Sequence, residues 1–209
     1  MNSIEKYISA HTQAESELLQ KLNRETHAKI LMPRMLSGHV QGKILEMISK
    51  MINPDYIIEI GTYTGYSALC LAQGLSEKGQ LHTIEINDEL ERFTRPFFEN
   101  SEFAEKINFH IGDAIKIIPN LKNDIDLVFI DADKRNYLAY YKVVIEKVKK
   151  GGFILADNVL WGNKVIQKLE NNDLYTKGIL EFNKFVHEDP RVENVILPIR
   201  DGIMILRKV

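Results

Sequence analysis

Tyr56-Ile57-Ile58-Glu59-Ile60-Gly61-Thr62-Tyr63-Thr64-Gly65-Tyr66-Ser67 is the stretch that decides the fold. A short apolar run stops at a glycine, and a helical pattern starts just past a second one. Such a strand–turn–helix unit opens a doubly wound sheet. The pattern repeats downstream. Leu81 to Ile86, Ile107 to Ile111, Ile125 to Ile130 and Phe153 to Ala156 read as strands, and Gly65 to Leu75, Asp88 to Asn100 and Tyr137 to Val148 as helices. The strands are apolar almost throughout, as expected for a parallel sheet covered on both faces. The tail differs. Thr176 to His187 reads as a helix, Val192 to Leu197 and Ile203 to Leu206 as strands, and Asp201-Gly202 supplies a hairpin-type turn. Upstream, Glu15 to Ala28 and Ser37 to Met51 have helical spacing, with Pro33 interrupting between them. The fold expected is α/β, a mostly parallel sheet ending in an antiparallel hairpin.

Composition narrows the class. The 209 residues suit one domain, with 1–36 as a helical N-terminal segment and 37–209 as a core. Charge is nearly balanced, 27 basic residues against 29 acidic, for a net −2. A dedicated nucleic-acid binder usually carries a basic excess. No apolar run approaches the roughly 20 residues that span a bilayer. The start, MNSIEKYISAHTQAESE, lacks the basic-then-apolar pattern of a secretory signal. One cysteine, Cys70, forms no internal disulfide, and a cytoplasmic setting is expected.

Ligands of open α/β sheets bind beyond the carboxyl ends of the strands. Here those ends carry Gly61 to Gly65, then Glu85, then Asp131-Ala132-Asp133-Lys134, then Asp157-Asn158. In the order 3-2-1-4-5 they are neighbours. The glycines do not make G-x-G-x-x-G, and no Gly-Lys-Ser/Thr phosphate loop exists. An edge lined with carboxylates suits a cationic ligand better than a pyrophosphate. Glu85 can accept both hydroxyls of a ribose, so a sulfonium nucleoside, S-adenosylmethionine (SAM), fits. The plainer alternatives are a tight turn at the glycines and a solvated acid at Glu85. Asp131, Asp157 and Asn158 are hard oxygen donors suited to a divalent cation, Mg²⁺ before Ca²⁺ or Mn²⁺. Helix capping is the alternative for the two aspartates. Lys134, beside a metal and a sulfonium, should have its pKa lowered and act as a base.

Glu59 to Ser67, Phe129 to Tyr137, Asp157 to Trp161 and Leu197 to Ile203 together resemble the cation-dependent O-methyltransferases, above all the caffeoyl-CoA O-methyltransferase branch, with catechol O-methyltransferase more distant. The resemblance runs from about Met35 to the C-terminus. It implies a Rossmann-like SAM methyltransferase fold with seven strands, and a homodimer. It implies that Asp131, Asp157 and Asn158 hold the metal, that Lys134 with Asp131 is catalytic, and that Glu85 binds the ribose. It places Glu59, Gly61, Tyr63 and Ser67 around the methionine end of the cofactor, Met35 and Ser37 in a closing segment, Asp113 near adenine, and Asp131 in contact with the cofactor. The acceptor implied is a small phenolic with vicinal hydroxyls. Neither Ile4 to Pro33 nor Gly162 to Tyr175 matches a pattern that would identify it. Tyr137, Trp161 and Arg200 stand where they could approach it, with packing or surface roles as the alternative. A second reading makes the acceptor a hydroxylated uridine of tRNA, with Lys142, Lys147, Lys149 and Lys150 as a local basic patch. A third makes the chain a non-catalytic nucleoside-binding regulator.

Overall fold

The computed structural model describes residues 3–209; residues 1 and 2 of the expected N-terminal segment lie outside them. Among the described residues, seven strands form one sheet in the order β3-β2-β1-β4-β5-β7-β6. They are β1 Tyr56–Ile60, β2 Gln80–Glu85, β3 Ile107–Ile111, β4 Ile125–Ile130, β5 Val148–Ala156, β6 Val192–Leu197 and β7 Ile203–Lys208. β1 to β5 pair in parallel, while β7 runs antiparallel between β5 and β6.

The helices are α1 Ser3–Ala10, α2 Glu17–Lys29, α3 Gly38–Ile52, α4 Tyr66–Ala72, α5 Glu91–Glu99, α6 Ala114–Ile117, α7 Tyr137–Ile145 and α8 Leu174–Glu188. They cover both faces. Ile58, Ile60, Val128 and Ile130 pack against Tyr141, Val144 and Phe182 of α7 and α8. Ile57, Leu127, Phe129 and Leu155 pack against Leu22, Leu45, Leu69 and Phe97 of α2 to α5. Alternate residues of each central strand feed opposite cores, so the strands read as continuously apolar.

Local chemistry sets the boundaries. The Ser16 hydroxyl caps α2 by accepting from the Leu19 amide at 3.3 Å. Asn53, left-handed at φ 50°, ends α3. Between α2 and α3 a short 3-10 turn spans Pro33–Met35, which is the interruption Pro33 predicts. Asp173 caps α8 by accepting from the Thr176 amide at 3.0 Å. β5 begins five residues earlier than its apolar half, because Val148 to Gly152 continue the strand with lysines and glycines.

Candidate active site

The sheet register brings the expected residues to one edge. Ile60 pairs with Ile84 on one side and with Ile130 on the other, and Ile130 pairs with Ala156. Gly61, Glu85, Asp131 and Asp157 therefore leave neighbouring strand ends together. A cavity of about 1330 Å³ opens there. Met35, Ser37, Gly61, Tyr63, Ser67, Glu85, Asp131, Lys134, Asp157 and Asn158 all line it. Glu59 and Asp113 do not.

Gly61 is obligatory at its position. Its φ is +97°, and a Cβ there would lie 2.1 Å from the Asp131 carbonyl oxygen. The glycine lets β1 and β4 deliver their ends side by side. Its amide donates to the Ile84 carbonyl at 2.9 Å. The next turn is held by Glu85, whose carboxylate accepts from the Tyr63 amide at 2.7 Å and the Asn87 amide at 2.9 Å. Burial raises the Glu85 pKa, against the opposing pull of those amides. A carboxylate has about four acceptor sites, so Glu85 keeps capacity for further donors.

Glu59 lies beneath the cavity floor. It is fully buried and accepts from Thr83 Oγ1 at 2.5 Å, and Thr83 is itself 2.5 Å from Thr62 Oγ1. Burial pushes its carboxyl up to about 8, against hydrogen bonds from Ser67 and Thr83 that favour the anion. Burial thus favours the neutral form of Glu59, which is linked through Thr83 to Thr62 of the glycine turn. Asp113 caps α6, accepting from the Ile115 amide at 2.9 Å.

Asp131 and Asp157 sit at adjacent strand ends, and neither caps a helix. Asp157 is 3% exposed. Its carboxyl is pushed up to about 6, first by burial and then by the charge of Asp131. Asp157 accepts from Gln41 Nε2 at 2.5 Å and from the Asn158 amide at 2.7 Å. Asn158 follows in the left-handed region, at φ 58°. Two facing carboxylates beside a side-chain amide are a hard-oxygen donor set, and their mutual repulsion is what a divalent cation would relieve. By donor chemistry these residues fit such an ion, although no group of three or more His, Cys, Asp or Glu is clustered to hold one among the described residues.

The lowered pKa expected of Lys134 was set by a bound cation and a sulfonium. Among the chain's own groups the balance runs the other way. Burial does push it down, but Tyr137 and the Asp131 carboxylate outweigh burial and hold it above the ordinary lysine value. The reason is contact: Nζ donates to Asp131 Oδ1 at 2.8 Å and lies 5.0 Å from the Tyr137 ring centroid. In this state Lys134 is an ammonium.

The three candidates for substrate approach separate. Tyr137 is fully buried, and its hydroxyl donates to the Asp157 carbonyl at 3.0 Å, so it packs beneath the site. Trp161 and Arg200 line the cavity. Trp161 stacks on Tyr175, with centroids 6.0 Å apart and planes 19° off parallel. Tyr175 also lines the cavity, and no local sequence pattern marked it. Lys29 and Arg34 stand on the same lining. The lysine patch lies elsewhere. Lys147 and Lys149 flank the start of β5, at the opposite end from Asp157, with Lys147 bonded to the Leu121 carbonyl and Lys149 paired with Asp126.

Known proteins share this frame. The family model described as O-methyltransferase matches residues 7–209. The chain belongs to the O-methyltransferase family. Within that family, caffeoyl-CoA O-methyltransferase 2 of Eucalyptus globulus is 37% identical over 206 residues, covering 93% of this chain and 83% of that one. Caffeoyl-CoA O-methyltransferase of Petroselinum crispum is 35% identical over 206 residues, covering 93% and 85%. Among solved structures, the O-methyltransferase of Bacillus cereus in complex with SAH matches with a TM-score of 0.91 at 28% identity, covering 99% of this chain and 98% of that one. The O-methyltransferase TomG of Streptomyces achromogenes, involved in tomaymycin synthesis and solved with SAM, matches with a TM-score of 0.91 at 25% identity, covering 100% and 96%. The O-methyltransferase fold is thus the Rossmann-like one expected, antiparallel hairpin included.

Proposed function

We propose that this O-methyltransferase moves a methyl group from SAM to one hydroxyl of a small phenolic carrying vicinal hydroxyls, with a divalent cation, Mg²⁺ foremost, in the site. The observation that carries the reading is the carboxylate pair, Asp131 and Asp157, facing one cavity that Glu85 and the glycine turn also line. Asp131, Asp157 and Asn158 would hold the ion. When bound, SAM supplies a sulfonium methyl and the ion a Lewis acid that lowers the pKa of the acceptor hydroxyl.

The chain's own residues do the rest. Glu85 takes the ribose hydroxyls. Met35, Ser37, Gly61, Tyr63 and Ser67 surround the methionine end, and Asp131 borders it. Glu59 backs this wall from below, and Asp113 shapes the adenine end by fixing the start of α6. The stacked pair Trp161 and Tyr175 gives a flat apolar wall for an aromatic acceptor. Lys29 and Arg34 suit an anionic tail on it. Lys134 Nζ would take the acceptor proton as a neutral amine, its own proton having first gone to solvent once a bound cation draws Asp131 away and the sulfonium disfavours the ammonium. Anion and sulfonium neutralise each other in the reaction, so alignment at about 3 Å and exclusion of water count most.

The segment 1–36 finishes the acceptor side, through Leu31, Met32 and Met35, and offers a homodimer contact, through the exposed Ile4, Tyr7 and Ile8 of α1.

The test is S-adenosylhomocysteine release from two acceptors differing by one hydroxyl. A catechol should turn over at least about a hundredfold faster than the matching monophenol, which lacks the second oxygen. Equal rates would refute the vicinal-hydroxyl reading. Rapid release on hydroxyuridine-bearing tRNA, with both phenols silent, would move the acceptor to RNA.

A further inference from the structure

Gln41 belongs to none of the motifs, yet it is 1% exposed and touches the site. It sits in the first turns of α3. Its Nε2 donates to Asp157 Oδ2 at 2.5 Å, across 116 residues of chain. Its Oε1 accepts from Arg200 Nη1 at 2.8 Å, across 159 residues. The same guanidinium nitrogen donates to the carbonyls of Leu36 and Ser37. Arg200 holds φ 50° in the loop between β6 and β7, an uncommon region for a residue with a Cβ.

The chemistry fixes the amide's direction. A guanidinium only donates and a carboxylate only accepts. Oε1 must therefore face Arg200, and NH₂ must face Asp157. Flipping the amide would set donor against donor and acceptor against acceptor. Arg200 thus decides which way Gln41 points, and Gln41 engages Asp157 Oδ2 while the Asn158 amide engages Oδ1. A neutral amide does this without adding another anion beside Asp131 and Asp157.

We propose that Gln41 is a positioning residue for Asp157, and that Arg200 fixes Gln41 while tying the cavity segment Leu36-Ser37 to the β6–β7 loop. The proposal rests on the reading of Asp157 as a metal ligand. Gln41 touches no reacting atom. With the Asn158 amide on the other oxygen, it holds the Asp157 carboxylate in one rotamer, so that the remaining lone pairs keep one direction toward the donor set. Such outer-shell partners typically hold about 10–100-fold of metal affinity.

The experiment titrates Mn²⁺ into the full chain saturated with S-adenosylhomocysteine, by calorimetry and without turnover. Gln41→Leu should weaken Mn²⁺ binding about tenfold or more, with unchanged S-adenosylhomocysteine affinity and circular dichroism. Arg200→Ala should weaken it too, and the double variant should bind no worse than Gln41→Leu, because both act on one relay. Arg200 is exposed, so it keeps the test decisive if Gln41→Leu misfolds. Mn²⁺ affinity within about twofold of the parent in both variants, far below the outer-shell range, would overturn the proposal. Additive losses would overturn the relay. A parent chain that binds no Mn²⁺ would instead overturn the metal reading beneath it.

Discussion

Glu59 shows how much one buried group can carry. The family resemblance implies a place near the methionine end of the cofactor, and in the structure Glu59 is fully buried in a chain of hydroxyls from Thr62 and Thr83. An alternating strand residue cannot reveal which layer it faces until both faces are known to be covered. The consequence is a pH dependence with a defined sign. The unfolded chain releases this proton near 4.5, and the folded chain holds it to about 8. Between those values the folded state binds more protons, so this group's stabilisation is full below 4.5 and is lost as pH rises toward 8. Glu59→Gln keeps a neutral amide there at every pH. Its Tm relative to the parent should therefore climb between pH 5 and pH 8, followed by thermal melts. A constant or falling difference would mean Glu59 is ionised in the fold.

At the scale of elements, strand ends were legible and helix edges less so. β1 and β4 match their apolar runs, because burial of every residue leaves an unbroken hydrophobic signal. α1 and α6 did not stand out, since one is exposed along its length and the other is four residues long. The contact between α8 and the Lys134–Asn136 turn was also hidden. Gly178 lies in α8 where an added Cβ would sit 2.4 Å from the Lys134 carbonyl oxygen and 2.9 Å from Arg135 Cα. An exposed helical glycine replaced by alanine normally gains about 0.5–1 kcal/mol. Here both obstacles are backbone, so α8 or the turn must move. Gly178→Ala should lose roughly 1–3 kcal/mol in denaturant unfolding, an overpacking cost, and should slow turnover by displacing Lys134. A variant as stable as the parent would show that α8 packs more loosely than the structure has it.

The whole molecule is a sheet whose carboxyl edge gathers acid from separate strands. That edge could be read in the sequence because α/β alternation points to a doubly wound sheet, one of whose common strand orders is the one found, and every strand end carries its residue in plain view. The relay of Gln41 and Arg200 could not, because its members are 159 residues apart and Gln41 belongs to no motif. Nor could the state of Lys134: its partner Asp131 is only three residues away in sequence, but the 2.8 Å contact between them is set by the fold. The carboxylate pair dominates the electrostatics of the edge, and the account stands or falls on what it is for. The direct measurement is S-adenosylhomocysteine release from a catechol acceptor, in Mg²⁺ and in EDTA, for the parent and for Asp157→Ala. The account predicts turnover by the parent in Mg²⁺, none in EDTA, restoration when Mg²⁺ is returned, and none from the folded variant in either. Undiminished turnover in EDTA would contradict it.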